Sequence, residues 1–498
     1  MRPTLDNRTH EAGTLDAGPQ GQGEPRRGTI VDRLAEFTTQ TRYESLPGAV
    51  IDECKRIILD SLGCALAGVD APKGRIGIAH GLQMGGATPA ATVIGTGDRT
   101  SIAGASFANA ELINALDFDG VLPPGHVTPF VLPGALAVAE SLGATGREFI
   151  ASMAVAHEMS YRFGKAMDNL RAVKDGKVSP PSVFGYSSAI FGATAAITQL
   201  KRLPTDVVAH ALGIAACISP VNSQAAWFQH APSATIKYSL AGTLAQSALT
   251  AASMGELGHR GDSRILDDRE FGYARYIGTS RWEPAAITND LGEEWRFPPD
   301  QVFKPYPHCR IFHTLLDTLA EIVAENALKP EEIDDIEAWV EGFVDRPVWL
   351  NRRIEHPSDA QFSLAHGLAV GAHGIPPGKA WQDPEVVFSP SVLGLMGKVR
   401  HRPHPDYVEL LAKYPASRPA RIAVSARGKV FVNERLYPKG SNSPDPGSAM
   451  TTQELALKFQ DNARGVLPPE NAQGIIDTVL HLETVEDINV LTALLRKG

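Results

Sequence analysis

The sequence predicts a mainly α protein, in which a large all-helical domain carries a smaller α+β domain inserted before its last helices. Apolar residues recur at helical spacing from residue 30 to about residue 258, strand-like alternation is concentrated between 301 and 440, and helical spacing returns after 450. The chain of 498 residues also exceeds the length at which single cores stop growing, so two domains are expected. The predicted segments are a disordered tail at 1–28, the helical domain at 29–300, the α+β domain at 301–440 and the C-terminal return to the helical domain at 441–498.

Helices are predicted throughout the first part of the chain. Ile30, Val31, Leu34 and Phe37 begin the apolar repeat. Further helices, most of them rich in alanine and glycine, are predicted at 50–62, 102–116, 133–142, 147–167, 187–200, 205–218 and 236–254. Small residues at three- and four-residue spacing let helix backbones approach closely, so tight helix packing is expected. A short β-branched stretch at 91–95 predicts one extended piece.

Strands are predicted in the α+β domain. Residues 333–340 follow a turn that begins at Pro330, and residues 420–426 and 429–432 alternate around a hairpin turn at Gly428. The Gly-, Ser-, Asn- and Pro-rich stretch 440–448 predicts a linker. Beyond this linker, helices are predicted at 451–459, 469–482 and 485–495.

Composition excludes several classes of function. The chain is 43% hydrophobic and 21% charged, as in soluble globular proteins, and its net charge is −9. It has no Lys/Arg run of the kind that binds nucleic acid. Four cysteines without a CxxC pair, and the absence of HExxH, predict neither a disulfide framework nor a metal site. Because no stretch resembles a signal peptide or a membrane span, the cytoplasm is the expected location.

The segment 304–313 concentrates chemically active side chains. It contains two cations, two imidazoles and a thiol, from Lys304, Arg310, His308, His313 and Cys309. Cations hold carboxylates, and an imidazole moves protons near neutral pH, so this mixture predicts a pocket for a small organic anion. A partly buried polar turn with satisfied histidines is the alternative interpretation.

Two further places carry candidate site residues. Asp117 and Asp119 follow an apolar helix and precede a loop with His126, so their carboxylates are placed either to orient this histidine or to bind substrate hydroxyls; an ordinary acidic loop is the alternative. Lys237 is predicted at the start of an apolar helix, where both the cation and the helix N-terminus favour an anion. A side chain that extends its charge to solvent is the alternative for this lysine.

These pieces, in this order, resemble the MmgE/PrpD family, which includes 2-methylcitrate dehydratase, cis-aconitate decarboxylase and iminodisuccinate epimerase. The resemblance covers residues 30–498 and is carried by 114–119 with His126, 133–140, 156–158 with Arg162, Lys237, 304–313 and 359–364. It implies a helical domain built from both ends of the sequence, an inserted α+β lid, homodimers, and chemistry on small polycarboxylates without a metal or other cofactor.

The resemblance also assigns residues. Asp117, His126, Lys237 and Lys304 fall where family members place active-site groups. Ser179 and Phe343 depart from the decarboxylating members, which resemble a His-Pro-Pro-Ser run at the first position and carry a tyrosine at the second. These departures argue against cis-aconitate decarboxylation and leave the broader class intact.

The resulting hypothesis is a lyase that dehydrates a hydroxy-polycarboxylic acid, as 2-methylcitrate dehydratase does. Lys237 and Lys304 would hold a carboxylate, and His126, positioned by Asp117, would be the acid and base. Substrate contacts are predicted for Asp119, Ser179, His308, Cys309, Arg310 and His313, with Arg310 on a second carboxylate. The alternatives are a decarboxylase or epimerase on a related acid, a less polar substrate, and a family member that only binds an anion or a partner.

Overall fold

The computed structural model describes residues 28–86, 88–167, 171–174, 177–179, 181–237 and 239–497, without the side chains of residues 172, 174, 179 and 446. Apart from Gly28, the predicted disordered tail lies outside these residues. Helices dominate the described chain and strands are few, so the prediction of a mainly α protein is confirmed. No helix in this part of the chain combines the length and the apolar character needed to cross a membrane.

The first part of the chain is helical. Its helices are α1 (Ile30–Gln40), α2 (Gly48–Gly68), α3 (Pro72–Gln83), α4 (Ile102–Ile113), α5 (Thr128–Leu142), α6 (Gly146–Ala166), α7 (Ala189–Leu200), α8 (Thr205–Cys217), α9 (Gln224–Trp227), α10 (Ala241–Glu256), α11 (Tyr273–Ile277) and α12 (Ala285–Thr288). Local signals set their starts: Thr29 and Asp32 form a capping box on α1, and Thr145 and Glu148 form one on α6.

Two short hairpins interrupt these helices, β1 (Ala91–Thr92) with β2 (Arg99–Thr100), and β3 (Ala172–Lys174) with β4 (Lys177–Ser179). The extended piece predicted at 91–95 is therefore one arm of a hairpin. Glycines bring helices close, as expected: a Cβ added at Gly81 of α3 would lie 2.5 Å from the carbonyl oxygen of Gly104 in α4. Side chains larger than hydrogen are excluded there.

Two helices in the first part of the chain begin away from their predicted starts. Helix α5 begins at Thr128 and not at residue 133, because Pro129 is tolerated in the first turn and Pro133 is accommodated inside the helix. Helix α10 begins at Ala241 and not at residue 236. Lys237 has φ 56°, which is incompatible with a right-handed helix, so it lies in a turn before α10 and not at its N-terminus.

The following segment forms a four-stranded sheet with helices against it. Its strands are β5 (Ile333–Val340), β6 (Val399–Pro403), β7 (Ala420–Ala426) and β8 (Lys429–Arg435), in the order β6-β5-β7-β8. Strand β5 pairs in parallel with β6 and antiparallel with β7, which pairs antiparallel with β8. The segment's helices are α13 (His313–Glu325), α14 (Pro347–Leu350), α15 (Pro357–Ala360), α16 (Leu364–Ala372), α17 (Pro384–Val387), α18 (Pro390–Met396) and α19 (Tyr407–Lys413).

The sheet matches the sequence prediction except for one strand. Strands β5, β7 and β8 and the turn at Gly428 are confirmed. Strand β6 was not predicted, because only Val399 of its five residues is buried and the others are charged, polar or proline, as an edge strand allows.

The last helices pack on the first ones. Helices α20 (Thr452–Ala463), α21 (Pro469–Leu480) and α22 (Asn489–Leu494) follow the sheet, and α20 lies along α2. At their contact, a Cβ at Gly63 would lie 3.1 Å from the ring of Phe459. Most buried apolar residues of the helices and of the sheet form one continuous core, which includes Leu59, Ile190 and Ile336.

Candidate active site

Asp117 lies between two buried lysines. Lys237 Nζ is 3.0 Å from Asp117 Oδ1, and Lys304 Nζ is 2.6 Å from Oδ2. Lys304 also donates to the carbonyl oxygen of Asp117 at 2.7 Å, and Lys237 donates to that of Asn114 at 2.9 Å. Asp117 and Lys237 both have positive φ, 53° and 56°, a strained conformation that tertiary contacts must hold. The three side chains therefore form a fixed group.

The charges of this group shift its pKa values. Burial alone would raise the pKa of Asp117, but Lys237, Lys304 and His126 outweigh it and hold that pKa far below its ordinary range. Burial lowers the pKa of Lys237 to about 8, against the opposing effect of Asp117, and Lys73 lowers it further. The carboxylate thus stays ionised at every physiological pH, whereas the amine of Lys237 titrates just above neutrality.

Asp119, and not Asp117, orients His126. His126 Nδ1 lies 2.6 Å from Asp119 Oδ2, and Asn114 Nδ2 donates to the other carboxylate oxygen at 3.2 Å. His126 Nε2 lies 3.5 Å from Asp117 Oδ1. Because Nδ1–H is held by a carboxylate, the unprotonated nitrogen of the neutral imidazole is Nε2. The predicted role of Asp117 in positioning the imidazole thus belongs to Asp119, which is fully buried behind the ring.

Asp119 keeps its charge despite this burial. Burial raises its pKa, but His126 and, at longer range, Lys304 and Lys237 lower it below the ordinary value.

A glycine admits the ring that covers the imidazole: Gly125 has φ 151°, and a Cβ there would lie 2.1 Å from Tyr186 Cε1. The Tyr186 and His126 rings lie 6.0 Å apart.

The site opens into a cavity of about 400 Å³. Asp117, His126 and Lys304 line it from the helical part and the following loop, and Arg418 and Ser441 line it from both ends of the β7–β8 hairpin. Lys237 and Asp119 do not line the cavity. They act on it only through the residues that they contact, Asp117 and His126. The cavity thus lies where the helices meet the sheet-bearing segment.

The segment 304–313 is divided between cavity and core. Lys304, Cys309 and Arg310 line the cavity, but His308 and His313 do not. His313 Nε2 donates to the carbonyl oxygen of His308 at 2.9 Å, and both rings are buried. Burial lowers the pKa of His308 to about 4 and that of His313 well below its usual value, so both are neutral packing groups and the predicted substrate contacts do not fit their positions.

Cys309 is a thiol at neutral pH, because burial raises its pKa to about 11. The backbone of Ser179 pairs with Ala172 in the β3–β4 hairpin, but its side chain lies outside the described residues. Ser179 therefore keeps the status of a prediction.

Two guanidinium groups at the cavity, those of Arg171 and Arg418, were missed by the sequence analysis, which predicted only Arg310. Arg171 Nη1 lies 3.4 Å from one Glu341 oxygen, and Arg418 pairs with the other. Arg310 donates to Ser441 Oγ. Burial, reinforced by Arg418, lowers the pKa of Arg171 to about 10 and that of Arg310 to about 9. Residues 171 and 418 share no local motif with Arg310, so no sequence signal marks them.

A second missed residue supports the site from behind. Lys458 Nζ, in α20, lies 2.7 Å from Asp60 Oδ1 in α2. It also donates at 2.9 Å to the carbonyl oxygens of Phe118 and Lys304, and it lies 3.8 Å from the centre of the Phe118 ring. The buried ammonium of Lys458 therefore links two backbone segments of the site. One is the loop between Asp117 and Asp119, and the other is the backbone at Lys304.

Comparison with known proteins places this chain in a family. The MmgE/PrpD N-terminal domain matches residues 32–285, and the MmgE/PrpD C-terminal domain matches residues 306–484. A cis-aconitate decarboxylase-like protein of Aspergillus oryzae is 24% identical over 94% of this chain and 97% of its own. The cis-aconitate decarboxylase of Homo sapiens is 26% identical over 94% of this chain and 95% of its own, and that of Aspergillus terreus is 23% identical over 59% and 60%. This chain therefore belongs to the MmgE/PrpD family.

Proposed function

We propose that the protein is a lyase that acts on a small polycarboxylate with its own side chains as acid and base. The observation that carries the proposal is the imidazole of His126, anchored through Nδ1 by Asp119 and facing a cavity with the ammonium of Lys304. The family relationship to decarboxylases supports the general class.

Dehydration of a hydroxy acid is our first choice of reaction. His126 Nε2 takes the proton from the carbon beside a carboxylate, and the charge that develops on that carboxylate is stabilised by Lys304. The C–O bond to the neighbouring hydroxyl then breaks as the imidazolium returns its proton to the departing oxygen. A carbon–carbon double bond and one water result, and the imidazole is neutral again.

Decarboxylation is the second candidate, because the similar proteins carry that name. Here a carbon–carboxylate bond breaks, carbon dioxide leaves, and the imidazolium of His126 protonates the carbon. Phe343 lines the cavity where the sequence resemblance expects a tyrosine, so a phenolic proton donor is lacking at that position. This difference keeps dehydration ahead. Epimerisation would need only the removal and return of one proton.

Proton NMR in heavy water tests the lyase proposal. We expect solvent deuterium to enter a carbon position, or an unsaturated product to form, with at least one acid from a panel of malate, citrate, 2-methylcitrate and cis-aconitate. Thermal shifts without exchange or turnover would instead favour a protein that only binds anions. Loss of turnover after treatment with a chelator would contradict chemistry without a metal, and light scattering on the same sample tests the homodimer that the family resemblance implies.

The pH dependence of turnover tests the role of Lys237. Because its pKa is lowered to about 8, its charge is present below that pH and is lost as the pH rises through it. We expect kcat/KM to fall on the alkaline side with an apparent pKa near 8. Lys237→Arg should move this limb to higher pH, since a guanidinium keeps its proton. An unchanged alkaline limb in Lys237→Arg would show that another group titrates there.

A further inference from the structure

Several aromatic side chains line the cavity. Its lining includes the rings of Phe184, Tyr186, Trp227, Phe228, Phe343, Trp349 and Phe362. Four of them form what we call the aromatic wall: Phe184, Phe228, Phe343 and Trp349. Within this wall the Phe228 ring lies 5.1 Å from Phe184, 4.7 Å from Trp349 and 5.8 Å from Phe343, and the Phe343 and Trp349 rings lie 5.1 Å apart.

The aromatic wall connects to the catalytic imidazole. The Phe184 and Tyr186 rings lie 6.4 Å apart, and Tyr186 in turn lies 6.0 Å from His126. A substrate whose reacting carbon lies at His126 therefore has an apolar surface within reach. A molecule that carries only carboxylates and hydroxyls would leave this surface in contact with water or with its own charges, both unfavourable.

The same cavity carries positive charge. Arg171 and Arg418 both contact the carboxylate of Glu341, so this edge of the cavity carries guanidinium groups close together. Arg310 is paired with the hydroxyl of Ser441 and has no carboxylate within ion-pair distance in the described part of the chain. The charge of Arg310 therefore fits a carboxylate in addition to the one beside Lys304.

Size agrees with a substrate larger than the acids of the panel above. A volume of about 400 Å³ lies within the range of roughly 300–1,000 Å³ found for sites that enclose drug-sized ligands. The Phe343 ring lines this space and packs against the rings of Phe228 and Trp349. It has no hydroxyl that could bind a further carboxylate.

We propose that the preferred substrate is a dicarboxylic acid with an apolar substituent of about the size of a phenyl ring. One carboxylate lies beside Lys304, and the other lies at Arg310, near Arg171 and Arg418. The substituent packs on the aromatic wall. This inference rests on the proposed lyase function for the reaction, but the binding that it describes is measured separately.

Calorimetric titration with succinate and with benzylsuccinate tests the binding. These acids share two carboxylates, have no hydroxyl to lose, and differ by one benzyl group. Burial of that group predicts that benzylsuccinate binds roughly 10- to 100-fold more tightly. Equal affinity, or tighter binding of succinate, would overturn the inference.

Two variants separate the substituent from the charge. Phe343→Ala should remove most of the preference for benzylsuccinate and change succinate affinity little, because only the substituent meets the wall. Arg310→Gln should weaken both acids by a similar factor. Phe343→Tyr, which keeps the ring, guards against a folding defect in Phe343→Ala and should reduce the preference by a smaller factor. A preference that survives in both Phe343 variants would contradict the proposed placement.

Turnover distinguishes this inference from the lyase proposal. If benzylmalate is dehydrated with a higher kcat/KM than malate, both stand. If malate or citrate reacts and the benzyl group brings no gain in binding or rate, the lyase proposal stands and the substrate inference fails. If benzylsuccinate binds more tightly but no acid in either panel exchanges a proton or reacts, the binding inference stands and the lyase proposal fails.

Discussion

Replacement of His126 by glutamine is expected to lower turnover by about 10²–10⁴-fold. Glutamine retains a donor that reaches Asp119, now 2.6 Å from the imidazole, so the local fold should persist. It has no group that accepts and returns a proton, so the step at carbon loses its base and its acid. The effect should appear in kcat, with a small change in KM, because the proposed contacts of Lys304 and Arg310 with substrate carboxylates remain.

The rate of deuterium incorporation, measured with the acid that the wild-type protein turns over, checks this expectation. His373→Gln is a matched control, because that ring is bonded to Ala369 and Ser391 and does not line the cavity. Full activity in His126→Gln would show that the assignment of the base is mistaken. A similar loss in His373→Gln would indicate a general loss of structure.

Replacement of Lys458 by methionine is expected to lower the free energy of unfolding by about 3–5 kcal/mol. In this variant the Asp60 side chain, which is 1% exposed, loses its lysine partner. The carbonyl groups of Phe118 and Lys304 also lose a hydrogen-bond donor. Burial already raises the pKa of Asp60 and Lys458 opposes that rise, so without the lysine this carboxyl should take up a proton. Because a protonated carboxyl is less costly to bury than a charged one, the loss of stability should lie near the lower end of this range.

Activity should also fall in Lys458→Met, although Lys458 does not line the cavity. It holds the carbonyls of Phe118 and Lys304, and displacement of reacting groups by about 1 Å costs on the order of 10²-fold in rate. Urea denaturation and kcat of the single and double variants with Asp60→Asn check both effects. The two substitutions should be strongly non-additive; simple additivity would refute the coupling.

Lys201→Met provides the comparison for this experiment. Lys201 pairs with Glu256 at the surface, with side chains 28% and 39% exposed, so its loss should cost at most about 1 kcal/mol and leave the rate unchanged. An equal loss of stability in both lysine variants would mean that burial of the Lys458 pair has no special effect.

The sequence was sufficient to single out polar residues that the structure brings together, but not all of their contacts. Asp117, His126, Lys237 and Lys304 stand out because each is polar within an apolar stretch or a proline-rich turn, and the structure brings them together. Spacing could not decide which aspartate meets the imidazole. Asp117 and Asp119 lie in an irregular loop, where the local backbone angles set the direction of each side chain. Asp117 has a positive φ, and its side chain points towards the lysines.

Secondary structure and family follow from the sequence by itself, because periodicity, caps and turn residues act over a few neighbours. Most of the long helices in the first and last parts of the chain, the strands β5, β7 and β8, and the family motifs were predicted in this way, whereas α3 and α13 were not. Tertiary structure alone decided that His308 and His313 are packing groups, that Arg171 and Arg418 meet at the cavity, and that Lys458 reaches the site from the last helices. Such contacts join residues far apart in the chain, and only the packing of helices and sheet around one core determines which side chains become neighbours.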